Sequence, residues 1–562
     1  MARGRIRRSS ARRWGRFGVG ALCVGALSGV GLLSGGVARA EGSLSGYFGG
    51  DSVTERTHRV AVVMSPGWAR LTVQREIYNG GEQIDEAIYR IVHSQEVAAV
   101  GLRTKSSVPG AVWYRGQLME AGEAEAKYVA LTGRGEALPR DPALLYWVSP
   151  TELGLQVFPC AVGKSQWVEY ELLVPTRYEQ GKDVIDLGGD GLEGTQVNYR
   201  VTPARAGDSV TVRDVVAWSG AALEVALATE AAKVSLQSQG AAPLSARFAS
   251  LGLHSGRSLD WAELRAAARI SAVPKNAWVV VIADTSVSMG DGILNVEAPA
   301  VEAYLSHVPD AHVAVVAFDR VARDVTQGWA TPSDAEVAMR RWPSVSRNGS
   351  QVDGALGRAR ELLRAAPAGA AKRVLVLTDA HTRRALTQEV LDRALRDTQA
   401  VVHVAEVSAG APALSEDDAH PWLNGVRATG GLTWSAAVET NDAATRSVFE
   451  EWARPRYYTL EQVSVNAVPL GFLPDPGRLE EGTAWSGSGL RDGKAGRLSV
   501  RARLWGRAVT LDVASQPEEA KVRAALASAF SEDALSPEEV QELAWKGGAV
   551  SPYTSYLAVE PG

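Results

Sequence analysis

The chain has 562 residues, 46% of them hydrophobic and 22% charged. That is too long for one core, points to about three to five domains, and excludes a disordered or collagen-like chain. The first 40 residues hold eight arginines and no acid, so the formal net charge of −5 leaves the remainder at −13, which argues against nucleic acid or anionic lipid as a partner.

The chain opens with a basic stretch, Arg3 to Arg16, followed by an apolar stretch, Phe17 to Leu33, and the small-x-small site Ala38-Arg39-Ala40. This is the pattern of an export signal over residues 1–40. Because the apolar stretch is long, an uncleaved membrane anchor is the alternative, and membrane contact is expected through this segment alone. Beyond it only Cys160 remains, so no internal disulfide is expected; its place after Phe158-Pro159 in an apolar run suggests a buried, inert thiol.

Residues 41–180 read as a β-rich domain, with period-2 alternation in Val60–Met64, Ala69–Ile77, Glu86–Val92, Leu153–Phe158 and Gln166–Leu173. One helix is predicted within it, Met119 to Leu131. Residues 181–275 continue as a β linker region, in which Trp261–Ile270 fits either a strand or a short helix. From 276 to 455 the pattern changes. Continuous apolar runs (Trp278–Ala283, His312–Phe318, Arg373–Leu377, Ala400–Val407) alternate with helix-like stretches near Val296–His307, Val352–Ala365 and Thr387–Thr398. That alternation predicts an α/β doubly wound, Rossmann-like unit with a mostly parallel sheet covered on both faces. Residues 456–562 return to β patterning and end in a helix-rich stretch, Pro517 to Lys546. The whole is multidomain.

The candidate chemistry lies in the α/β unit. Asp284-Thr285-Ser286-Val287-Ser288 follows directly on a buried strand, and ligands of open α/β sheets collect at the carboxyl ends of such strands. A second loop, Asn348-Gly349-Ser350-Gln351, precedes a helix, and a third, Thr378-Asp379, ends another strand. Together they offer carboxylates and hydroxyls, hard oxygen donors suited to one divalent cation, Mg2+ first, with Ca2+ or Mn2+ as alternatives.

These residues resemble the metal-ion-dependent adhesion site of the von Willebrand factor A family. Asp284, Ser286 and Ser288 match its Asp-x-Ser-x-Ser element, Ser350 stands where the family usually has Thr, and Asp379 matches its last Asp. The Gly that often follows that Asp is Ala380 here. The resemblance implies that Ser286, Ser288 and Ser350 hold the metal directly. Asp284 and Asp379 would act through water or orient the hydroxyls, leaving one position open for a partner's carboxylate. Residues 57–180 resemble the VIT (vault/inter-alpha-trypsin) module, carried by Val73–Asn79, Glu86–Ile91, Glu123–Tyr128, Leu144–Trp147 and Val157-Phe158-Pro159. The segment Ser551–Glu560 resembles the closing motif of bacterial VIT–A-domain proteins, whose animal relatives are the inter-alpha-trypsin inhibitor heavy chains.

No histidine pair at metal spacing, nucleophile elbow or Walker loop is present, so a catalytic reading lacks support. His381, two residues after Asp379, reads as a surface histidine, since hard cations avoid imidazole. The expectation is an exported, non-enzymatic binding or adhesion protein of the periplasm, envelope or exterior. Its metal site would recognise a carboxylate on a protein or other macromolecule. The alternatives are a structural scaffold of an envelope assembly with a degenerate or purely structural metal site, and an envelope hydrolase using the metal to activate water.

Overall fold

The computed structural model describes residues 42–559, apart from 49–51, 107–109, 133–141, 189–191, 193–194, 229, 344–346, 382–392, 395–397, 473–476 and 531–533. The expected export signal at 1–40 therefore lies outside the described residues, as does most of the helix expected at Thr387–Thr398. Among the described residues no helix is long and apolar enough to cross a membrane.

Two sheets form a first β sandwich. The seven-stranded sheet runs in the order 223–227, 197–203, 53–65, 68–79, 165–175, 98–106, 114–115, and the six-stranded sheet in the order 43–46, 85–92, 152–160, 142–149, 554–559, 117–120. Strand 68–79 shows why it forms: Leu71, Val73, Arg75 and Ile77 turn inward while Arg70, Thr72, Gln74 and Glu76 turn toward solvent. Val62, Leu71, Val73 and Ile77 share one core with Tyr89, Leu145, Leu155 and Val157 of the second sheet. Cys160 is buried in that core, and burial pushes its thiol up to about 12, so it is protonated and unreactive at neutral pH.

The remaining β segments do not follow one another as separate blocks. Strands 182–187, 209–212 and 232–237 form a third sheet whose Ile185, Val210, Val234 and Leu236 extend the same core. Strand 257–266 instead lies between 244–252 and 484–492, and this sheet packs on strands 457–465, 497–504 and 507–514 to make a second sandwich. The segment Trp261–Ile270, ambiguous in sequence, is strand through Ala266. The last described strand, Thr554–Val559, returns to the first sandwich and lies between 142–149 and 117–120.

The α/β unit is inserted between strands 257–266 and 457–465 of the second sandwich. Its strands are β1 (Trp278–Asp284), β2 (His312–Phe318), β3 (Ala322–Asp324), β4 (Lys372–Leu377), β5 (Val401–Ser408), β6 (Ala413–Glu416) and β7 (Thr433–Ala437). Among the described residues its helices are α1 (Ile293–Leu305), α2 (Pro332–Arg341), α3 (Val352–Arg364), α4 (Leu423–Ala428) and α5 (Ala443–Ala453). The sheet order is β3-β2-β1-β4-β5-β7-β6, parallel except at the two edge strands. Val279, Val281 and Ala283 face the core beneath α1, α2 and α5, while Val280 and Ile282 face α3 and α4. This two-sided burial is what the continuous apolar runs predict.

Two consequences of this architecture are measurable. Deleting 551–559 would remove an internal strand and leave two sheet edges unpaired. The variant is expected to lose its cooperative thermal transition and become protease-sensitive, whereas an unchanged midpoint would show that the strand is dispensable. Separately, Glu451, at the end of α5, is pushed from an ordinary 4.5 to about 7, by burial first and with Glu416 adding to it. The folded state then holds a proton that the unfolded state releases, so this contribution is fully present below pH 4.5 and fades as pH rises through 7. It amounts to at most about 3 kcal/mol. Glu451→Gln should flatten the fall in thermal midpoint between pH 5 and 8.

Candidate metal centre

Three loops converge at the carboxyl end of β1, and backbone bonds set their spacing. The loop after β1 is tied to β2, since Thr285 donates its N–H at 2.8 Å and its hydroxyl at 3.0 Å to the Phe318 carbonyl. The loop before α3 is tied to the first by the Arg347 N–H, 3.3 Å from the Thr285 carbonyl, and by a parallel bridge between Ser286 and Arg347. It is tied to the end of β2 by the Gln351 N–H, 2.8 Å from the Asp319 carbonyl. Gly349 sits at φ +109, where a Cβ would meet the Arg320 backbone at 3.0 Å, so the close approach of this loop requires glycine. The third loop follows β4, and the Thr378 N–H bonds the Ala405 carbonyl of β5 at 3.1 Å. Ala380 holds φ +58, a left-handed conformation that disfavours any residue with a Cβ.

The side chains then fall into place. Asp284 is fully buried; one carboxylate oxygen accepts the Thr378 hydroxyl at 2.6 Å and the other accepts the Ser286 N–H at 2.9 Å. Burial pushes its pKa up, against the pull of those hydrogen bonds and with a further push from Asp379. The Ser286 and Ser288 hydroxyls stand 3.1 Å apart. The Ser350 hydroxyl is buried and has no hydrogen-bond partner. Asp379 accepts the His381 N–H at 2.9 Å and lies 3.1 Å from the His381 ring, which is itself exposed.

The structure thus brings Asp284, Ser286 and Ser288 into one hydrogen-bonded group, places the Ser350 loop against it, and sets Asp379 one residue beyond the hydroxyl that anchors Asp284. The donor set suits a hard cation: hydroxyls and carboxylates, with no thiol among them. Among the described residues no group of three or more His, Cys, Asp and Glu is placed to hold a metal. A buried hydroxyl without a partner is costly unless something completes its bonding, so Ser350 fits such an ion.

Sequence reasoning gave no role to Thr378 or to Glu297. Thr378 is the residue that fixes Asp284, and its only signal was adjacency to Asp379. Glu297, on α1, is fully buried with both carboxylate oxygens unpartnered. Its signal was one of two acids in a largely apolar helix.

A seven-stranded, mostly parallel sheet with helices on both faces and a hydroxyl-rich site at the end of β1 defines an A-type α/β domain. Residues 279–381 match the family model described as von Willebrand factor type A domain, so the inserted unit is a domain of that family within a larger chain. No curated protein matches the chain. Among solved structures it is similar to the conserved hypothetical protein BatB of Bacteroides thetaiotaomicron, at 16% identity over 31% of this chain and 96% of that chain, with a TM-score of 0.25. It is also similar to proximal thread matrix protein 1 of the mussel byssus, whose adhesion-site motif holds zinc, at 16% identity over 32% of this chain and 46% of that one, with a TM-score of 0.26. A third is the von Willebrand domain of the type V pili tip protein Mfa5 of Porphyromonas gingivalis, at 18% identity over 20% and 40%, with a TM-score of 0.17.

Replacing Thr378 by Val removes the donor that holds Asp284 and leaves a buried carboxylate oxygen unsatisfied. A loss of about 1–3 kcal/mol in chemical denaturation is expected. A loss below a few tenths would show that water replaces the hydroxyl.

Proposed function

We propose that this is an exported, non-enzymatic binding protein whose A domain uses one divalent cation to recognise an acidic group on a macromolecular partner. The observation that carries this is the Ser350 hydroxyl, buried and unpartnered in the loop that Arg347 ties to Thr285 and Ser286. Ser286, Ser288 and Ser350 would hold the cation, with Asp284 and Asp379 orienting the hydroxyls or acting through water. The cation, Mg2+ first and Ca2+ or Mn2+ otherwise, supplies an electrophilic position that a carboxylate can fill. Few anionic groups would touch it, so it gains most from an acid that another molecule brings. The absence of any nucleophile–base pair in the sequence supports a binding role over hydrolysis. The first sandwich is proposed to be a VIT module, on the strength of its sequence motifs and of the Ser551–Glu560 segment. The basic-then-apolar N-terminus supports placement in the periplasm, the envelope or outside the cell.

The scaffold alternative has one observation in its favour. Trp505, from the second sandwich, is buried in the core of the A domain, so the two form a continuous body suited to a structural part.

Isothermal titration of residues 41–562 with Mg2+, Ca2+ and Mn2+ tests the site. Saturable binding is expected in the wild type, abolished in Asp284→Ala and weakened in Ser350→Ala. A carboxylate peptide library should then bind only with cation present. Heat from none of the three cations would leave the scaffold reading.

A further inference from the structure

Resting on the reading of the A-domain site as a cation centre that receives a carboxylate, we infer that its rim selects an acidic peptide segment. One carboxylate of that segment completes the cation, a second acid meets Arg320 and Arg347, and an apolar side chain covers Val287 and Val321. The two arginines sit on the loops that build the centre. Arg347 forms the bridge to Ser286, with its N–H 3.3 Å from the Thr285 carbonyl. The Arg320 backbone lies against Gly349, the residue before Ser350, and its neighbour Asp319 accepts the Gln351 N–H at 2.8 Å. The valines belong to the same loops. Val287 stands between Ser286 and Ser288 and is 52% exposed, and Val321 follows Arg320 and is 54% exposed.

Both arginines are exposed, and among the described residues neither is ion-paired. The acids around them are engaged otherwise. Asp319 is held by Arg323 at 2.7 Å and Asp379 lies 3.1 Å from the His381 ring. Asp353 is in the first turn of α3, where the helix N-terminus favours a carboxylate. Exposed arginines elsewhere have their own acids, as Arg90 has Glu152 at 2.5 Å and Arg497 has Asp512 at 2.9 Å. Positive charge beside a cation centre opposes the ion, and becomes favourable once an anionic group lies between them. Residues 41–562 carry a formal −13, so a basic rim runs against the charge of the whole and steers an acidic partner to this end of the sheet. The valines decide the kind of partner. Covering them is favourable against apolar surface, which a peptide carries on residues next to its acids and a nucleic acid or sulfated glycan backbone does not.

Fluorescence anisotropy of residues 41–562 in Mg2+ tests this with two labelled peptides, one holding a single Asp among Gly and Ser, the other adding a Glu and a Leu beside that Asp. The second should bind about tenfold more tightly. In Arg320→Gln/Arg347→Gln that gain should shrink to about twofold and its salt dependence should flatten, while calorimetry shows Mg2+ binding kept or tightened. Arg320→Glu/Arg347→Glu should instead prefer a peptide with Lys in place of the added Glu. Both positions are exposed, so thermal midpoints should stay at the wild-type value. Equal affinity for the two peptides in the wild type, or a preference that the Gln variant retains, would overturn the inference while leaving the metal site standing. Tighter Mg2+-dependent binding of heparin than of either peptide would also overturn it, assigning the rim to a polyanion. Failure of the single-Asp peptide to bind the Mg2+-loaded protein would remove the carboxylate reading and this inference together.

Discussion

Between residues 266 and 457 the A domain hangs from the second sandwich by two strands of linker, and the Ser271 hydroxyl closes them together, donating to the Pro455 carbonyl at 2.5 Å. Arg454 reinforces the junction with a forked pair to Glu481 at 2.7 and 2.8 Å. Trp505, at the turn between strands 497–504 and 507–514, packs edge-on against the His403 ring, with centroids 4.5 Å apart. Burial brings His403 down to about 3, so its ring is neutral and Nδ1 accepts from the Leu432 N–H and the Trp434 indole, each at 3.1 Å. All these contacts gather where β4, β5 and β7 begin and where the chain enters β1. Asp284 lies at the other end of β1, roughly 20 Å away at about 3.3 Å per strand residue. Clamping one end of the sheet therefore presents the loop end outward.

How much of this was legible in sequence depended on how local the signal was. Four of the five parallel strands of the A domain stand out as continuous apolar runs because helices cover both their faces. Asp284, Ser286 and Ser288 stand out because their spacing is fixed within five residues. The bond from Thr378 to Asp284 spans 94 residues and has no local mark. The same holds for pairing: Trp261–Ile270 reads as a strand or a short helix, and the partner of strand 257–266 at 484–492 lies beyond the whole inserted domain. The closing strand was recognisable by resemblance, but nothing in its own residues says that it lies between 142–149 and 117–120.

The buried charges of this chain divide into two kinds, and the difference is informative. In the first sandwich, burial alone would push the Glu55 carboxyl up, yet Arg75 and His58 outweigh it and bring it down to about 2. Arg75 in turn bonds Tyr170 at 3.0 Å and stacks near Tyr89. Between sandwiches, Arg265 forks onto Asp183 at 2.7 and 2.9 Å, and Asp183 accepts the Gly67 N–H at 2.6 Å. Removing one partner from such a network strands the other, which is why these pairs fix the register of the sheets they join.

Asp284 and Glu297 belong to the second kind. Hydroxyls and an N–H stabilise Asp284, but no cationic side chain is bonded to it, and Glu297 has no partner. Burial raises both carboxyls, Asp379 adds to the rise at Asp284, and Asp284 adds to that at Glu297. Arg373 packs instead at the opposite end of the sheet, near Trp505. Its place there neutralises nothing at the loop end. The loop end of the sheet thus differs from the networks of the sandwiches: its buried aspartate is held by hydroxyl and amide donors, where Glu55, Asp183 and Asp260 are held by arginines.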